Sequence, residues 1–270
     1  MKCDSCLFDE DGATLKARGN YFVIFDLKEQ VKHLIAREKD FLFENLLWLK
    51  RDTEQGFCAS VKDITSRFML RNLRESRQVK WCDLTITVIT GGSPVFKSST
   101  SSVWPIQFVI NELPPDYRLK NSLVGGLWFG KHPEMTVFLK KFVDELNEFG
   151  EVIWKKGSTV ITSSLYAVCS CVDVPARALV SSGAVRYTNI KMDEERNPQE
   201  TREEMMFALS VEESVNGVKG PSAFMNVKHF NLVFGQTVDY MHCVLIGVTK
   251  AFTDHLFDLH KKGPSFCINE

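Results

Sequence analysis

Residues 81–149, WCDLTITVITGGSPVFKSSTSSVWPIQFVINELPPDYRLKNSLVGGLWFGKHPEMTVFLKKFVDELNEF, decide the fold. From Cys82 to Thr90 the side chains alternate, with Leu84, Ile86 and Val88 on one face and Thr85 and Thr87 on the other, the period of a strand. Gly91-Gly92-Ser93-Pro94 ends it. A strand that stops in a glycine turn is where α/β enzymes commonly hold a catalytic acid, because the strand is rigid and the turn opens to solvent. This turn carries none. Apolar runs at 103–112 and 123–129 predict further strands, punctuated by Pro114-Pro115 and Gly125-Gly126. A helix is expected from Thr136, as N-cap, to Phe149, with Gly150 as its stop. Phe138, Phe142, Leu146 and Phe149 share one face of it, which marks them as core packing rather than a base-stacking platform.

Upstream, NYFVIF at 20–25 predicts a short buried strand. Asp26 followed by Glu29 three residues on is a capping-box-like start, and Leu27, Val31, Leu34 and Ile35 fall on one helical face. The opposite face carries Lys28, Lys32, Arg37 and Lys39, which we read as a solvated face rather than a track for phosphates. A second apolar segment follows at 41–49. Residues 62–80, KDITSRFMLRNLRESRQVK, are locally basic. Arg67, Arg71, Arg74, Arg77 and Lys80 are the first place to look for a DNA contact, and the alternative is a surface helix leading into the sheet. Lys97, with Ser98 to Ser102, suits a phosphate or simply a polar turn.

Downstream, TVITSSLYAVCSCV at 159–172 predicts another buried strand, with Asp173 at its end. Cys169 and Cys171 lie two apart on that strand and so share a face, which favours a buried pair over a metal site. Residues 188–204 predict a charged surface loop entering a helix capped by Thr201 and Glu204. A short strand is expected at 230–234, then a helix from Asp239 to Lys261 with Met241, Leu245, Val248, Phe252, Leu256 and Leu259 facing the core, ended by Gly263-Pro264. Asp239 and His242, three apart, can share a helical face as ligands, or serve as an N-cap and a satisfied histidine. Cys3-x-x-Cys6 has the spacing of half a zinc site, but a closed structural site needs four ligands.

The 270 residues suffice for a substantial core, and 44% hydrophobic with 25% charged residues is ordinary for a globular chain. With 33 basic and 34 acidic side chains the net charge is −1, so any DNA contact is expected from local patches or from a part that is missing. No apolar run approaches the ~18 residues of a membrane helix, and the N-terminus lacks signal-peptide regions, so we expect no membrane partner and an intracellular protein, nuclear or cytoplasmic. The eight cysteines are then thiols or metal ligands rather than disulfides.

The blocks TGGSPVFKSSTSSVWPIQFVINELPP, LVGGLWFGKHPEMTVFLKKFVDELN, CVDVPARALV, VKGPS and VDYMHCVLIGV, in this order over roughly residues 81–250, resemble the catalytic region of transposases of the CACTA (En/Spm-type) class and their domesticated relatives. The resemblance implies an α/β fold, a ribonuclease-H-like mixed sheet with flanking helices, in which acidic residues hold two divalent metals, Mg²⁺ or Mn²⁺, for DNA strand cleavage and transfer. It divides the chain into a partial zinc-ribbon-like segment (1–19, Cys3 and Cys6, Zn²⁺), a helical, locally basic region (20–80), an incomplete core (81–260) and a tail (261–270). Asp173 matches the family's second acid, and the DYMH block brings Asp239 and His242 near the active site.

The chain also departs from that pattern. Gly91 stands where the family's first aspartate belongs, and Asp83, at the other end of the same strand about 25 Å away, cannot replace it. The cysteine-containing metal-binding insert after the ARALV block is absent, and the chain stops before the region that supplies the last acid. Two-metal phosphoryl transfer needs several converging carboxylates. The expectation is therefore a catalytically inactive transposase-derived protein with residual DNA or protein binding, its apolar surface seeking the missing transposase portion or another protein. The alternative is an active metal-dependent DNA transposase.

Overall fold

The computed structural model describes residues 2–3, 8–9, 21–54, 63–66, 68–94, 101–130, 133, 135–172, 180 and 196–238. In chain order its strands are β1 (Lys2–Cys3), β2 (Phe8–Asp9), β3 (Tyr21–Ile24), β4 (Leu84–Thr90), β5 (Ser93–Pro94), β6 (Ser102–Ile110), β7 (Leu123–Gly130), β8 (Glu151–Lys156), β9 (Thr159–Val172) and β10 (Gln236–Val238). The helices are α1 (Leu27–Glu54), α2 (Phe68–Glu75), α3 (Pro115–Arg118), α4 (Met135–Glu148) and α5 (Pro198–Val211). β1 and β2 pair only with each other; the rest form one eight-stranded mixed sheet in the order β10-β9-β4-β6-β7-β3, with β5 beside β6 and β8 beside β9. β4, β6, β7 and β3 are successively antiparallel, whereas β9 lies parallel to β4 and β10 parallel to β9. The α/β sheet with flanking helices is thus as the sequence predicts.

α1 starts where its cap predicts, with Asp26 Oδ1 accepting the Glu29 N–H at 2.9 Å. It then continues for 28 residues and absorbs the apolar segment at 41–49 that the sequence sets apart. Leu42, Leu46 and Leu49 extend the buried stripe of Leu27, Val31, Leu34 and Ile35, and no glycine or proline interrupts it. Its basic face is solvated and partnered: Lys32 pairs with Glu29, and Arg37 with Glu38 and Asn121. Through the β3–β7 pairing, the region 21–54 joins the same sheet and core as the residues after 81.

α4 packs on β7 through two small residues. A Cβ at Gly125 would sit 2.4 Å from the Phe142 ring, and one at Gly126 2.8 Å from Ile24 Cδ1. These glycines are therefore not a break between strands; they lie inside β7 and let the α4 aromatics approach the backbone. Phe138 and Phe142 are fully buried there, each contributing about 1.5–3 kcal/mol of transfer free energy. Thr136 falls inside α4 rather than at its cap, because the helix opens at Met135; Gly150, at φ +64°, is the left-handed stop expected.

Two other boundaries differ from the sequence reading. α5 begins at Pro198, with the Asn197 side chain accepting from the Gln199 and Glu200 N–H groups, so Thr201 is a first-turn residue whose hydroxyl donates back to Asn197 O. Proline at the first helical position suits the start, since its missing N–H would have no partner there. The strand expected at 230–234 does not form. Asn231 Oδ1 accepts from Val233 and Phe234 in a turn, and pairing with β9 resumes only at Gln236.

Around the start of β4 and the residues that follow β6 lies a buried polar network. The Glu112 carboxylate, fully buried, accepts from Thr85 N–H and Thr85 Oγ1 at 2.7 Å and from Arg74 at 2.8 Å. Arg74 also donates to the carbonyls of Lys80 (3.1 Å) and Trp81 (3.2 Å). Asn111 accepts from Thr87 Oγ1 and donates to Thr85 Oγ1, while Arg118 ties the Asn111 carbonyl to Asp63. Burial pushes the Glu112 carboxyl up, against the pull of Arg74 and the Thr85 hydrogen bonds. Burial also raises Asp63, but the Arg118 hydrogen bonds and charge outweigh it and hold Asp63 below the usual carboxylate range.

Removing one partner of a buried ion pair strands the other charge, so Glu112→Gln should cost about 3–5 kcal/mol in urea unfolding, and Glu112→Leu combined with Arg74→Met should recover much of it. A loss under about 1 kcal/mol for the single variant would contradict the network's role. Because the folded pKa of Asp63 is depressed, its contribution is present above the unfolded value near ~4 and is lost as pH falls through the folded one. Asp63→Asn should accordingly show a smaller drop in stability between pH 6 and pH 3 than the parent, both pH values being chosen to bracket roughly that range.

Candidate functional site at the strand carboxyl ends

The parallel strands β4, β9 and β10 end level with one another. Thr90 pairs with Val172, and Val172 with Val238. Ligands of open α/β sheets bind outside such carboxyl ends, where backbone direction and the following loops converge. The next residue after β4 is Gly91, half-buried, and a Cβ built on it meets nothing within 4 Å among the described residues. Its backbone is outside the left-handed region, so a side chain is sterically admissible there. Thr90 is 4% exposed, and its hydroxyl has no partner among the described residues, as is also true of Ser170 Oγ on β9. In the sequence, β9 and β10 are followed by Asp173 and Asp239.

Asp173, Asp239 and His242 lie outside the described residues, as do Cys6, Arg67 and Lys97; Cys3 belongs to β1. Among the described residues no group of three His, Cys, Asp or Glu side chains could hold a metal ion. Of the described residues at these strand ends, Gly91 has no side chain and the Thr90 hydroxyl is a neutral donor, whereas hard cations take carboxylates. Asp83 sits at the opposite end of β4, fully engaged. It accepts from Lys80 N–H at 2.7 Å and Ser164 N–H at 3.0 Å, which pins the strand's entry to β9. Cys169 and Cys171 lie opposite Thr87 and Ile89 in the ladder and hence on one face; Cys169 is buried with Leu70 and Val168.

The basic segment is divided by the fold. Arg74 is removed from any phosphate-facing surface, because its guanidinium is turned inward onto Glu112 and the 80–81 carbonyls; its side chain is 5% exposed. Arg71 pairs with Glu75 at 2.7 Å. Arg77 is exposed, and Lys80 is exposed and 3.7 Å from Glu151. Together with Lys50 and Trp81, these two line a cavity of about 550 Å³ against the ends of α1 and α2. Sequence reasoning misses Lys50, which lies on a different helix, and Trp81, which lies just before the predicted strand 82–90 and is given no role. A second, apolar groove of about 910 Å³ runs between α2 and the 231–235 turn, with Phe68, Met69, Leu73 and Phe234 on its walls. No described helix is long and apolar enough to cross a membrane. No family model matches this chain, and no curated protein matches it.

Proposed function

We propose that the chain is a transposase-derived protein that keeps the ribonuclease-H-like sheet of its ancestor without a working metal centre, and that its remaining role is binding, to DNA or to another protein. The observation that carries this reading is the level ending of β4, β9 and β10, with a glycine following the strand that should present the first acid. Asp173 and Asp239 follow the other two strands in sequence, where the CACTA-class resemblance implies its second acid and a block near the active site, and the mixed sheet with flanking helices agrees with the expected architecture. Losing a carboxylate that holds a divalent ion removes the clamp on attacking and leaving oxygens, and with it nearly all rate.

A protein partner is favoured by a separate observation: Phe68 is 77% exposed on the rim of the apolar groove, where a finished surface would rarely leave so large a side chain. The competing reading is an active metal-dependent nuclease. Calorimetric titration of the chain and of Asp173→Ala with Mg²⁺ and Mn²⁺, alongside a plasmid-nicking assay, separates them. The expected result is no site-specific heat and no nicking by either protein. Metal binding that disappears in Asp173→Ala, accompanied by nicking, would establish the enzyme instead.

A further inference from the structure

The cavity beside Trp81 lies at the amino end of β4, at the far end of the strand from Gly91. Lys50, Arg77 and Lys80 contribute cationic side chains to its lining, and Glu54 and Glu75 contribute carboxylates. Most of these charges are spoken for. Glu75 pairs with Arg71, Lys50 lies 3.8 Å from Glu54, and Lys80 lies 3.7 Å from Glu151. The two lysine pairs are long and solvent-exposed, the kind that contributes little and releases its cation readily. Arg77 has no acidic partner among the described residues.

Arg77 also occupies an uncommon backbone state, at φ +58° just past the end of α2. Glycine or asparagine is the ordinary choice in that position, because a Cβ is strained there. The simplest role for an arginine after a helix, bonding its last carbonyls, is already filled by backbone groups. Asn72 O accepts from Ser76, Leu73 O from Gln78 and Val79, and Arg74 O from Arg77's own N–H. Arg77 thus lines the cavity from a backbone conformation that glycine would adopt with less strain. The floor beneath is rigid: Arg74 fixes the carbonyls of Lys80 and Trp81, and the Lys50 ammonium stands 5.2 Å over the Trp81 ring.

We propose that this cavity is a DNA-backbone phosphate site, with Arg77 as its principal ligand, Lys80 and Lys50 as supporting cations, and Arg74 as the positioning residue behind them. It rests on the DNA-binding branch of the reading above and gives that branch a location away from the strand carboxyl ends. A guanidinium presents several donors in a fixed fork that matches phosphate oxygens, and the two lysines supply charge without geometry.

The test is duplex DNA binding by the full chain, measured by fluorescence anisotropy over a series of salt concentrations, for the parent, Arg77→Gly, Lys80→Gln and Lys39→Gln. Lys39, exposed on α1 and absent from the cavity lining, is the control for charge alone. Arg77→Gly should hold or raise the melting temperature while weakening binding several-fold and lowering the slope of log K against log salt by about 1, the signature of one lost phosphate contact. Lys80→Gln should weaken binding in the same sense, and Lys39→Gln should leave the slope unchanged. If the parent binds and Arg77→Gly binds with the same slope, or if Lys39→Gln loses as much, the phosphate site is overturned while DNA binding stands. If the parent binds no DNA, both the site and the DNA branch of the functional reading fall together.

Discussion

The buried ion pair between Glu112 and Arg74 is the contact on which the rest of the arrangement depends. It joins residues 38 apart in sequence and draws together the start of β4, the exit of β6 and the end of α2. Desolvating two charges is expensive, and the pair persists because nearly every donor and acceptor around it is matched: Thr85 twice on Glu112, and two backbone carbonyls on Arg74. Asp83 secures the same end of β4 to the 80-turn and to β9. With its base fixed, β4 runs straight through the main core as Leu84, Ile86 and Val88, and its carboxyl end arrives level with those of its parallel neighbours.

The two ends of β4 therefore differ in character. At the amino end, the Glu112 carboxylate and the Arg74 terminal nitrogen that meets it are matched, and they support a cationic rim. At the carboxyl end the frame is in place but the chemistry is sparse: a glycine with room for a side chain, and a buried threonine hydroxyl without a partner among the described residues. A protein that kept the frame for its fold alone would tolerate that loss, because β4 is held by its core and by its base rather than by anything at Gly91.

Much of this frame was legible from the sequence, and the misses share a cause. Alternation in 84–90, the Asp26 cap and the stripe of α4 are local signals, and each is found where it was read. The continuity of α1 was missed because its second half is masked by the exposed Phe41 and Trp48 beside the buried leucines. Gly125-Gly126 looked like punctuation, since nothing in the sequence shows that Phe142 needs the space. Arg74 looked like one more basic side chain in a basic run, because its partner sits in a distant turn. At the candidate site, the strand ends at Thr90 as its alternation predicts, so Gly91 is the residue after β4, whereas Asp173, Asp239 and His242 fall outside the described residues.

On the reading proposed above, the sheet still presents a metal site's frame, and the glycine at position 91 is the departure among the described residues that empties it. Paramagnetic broadening of backbone amide signals by Mn²⁺ addresses this directly, comparing the parent with Gly91→Asp. Only the variant should show saturable broadening centred on Thr90, Val172 and Val238. Equal broadening of those residues in the parent, or none there in the variant, would contradict it.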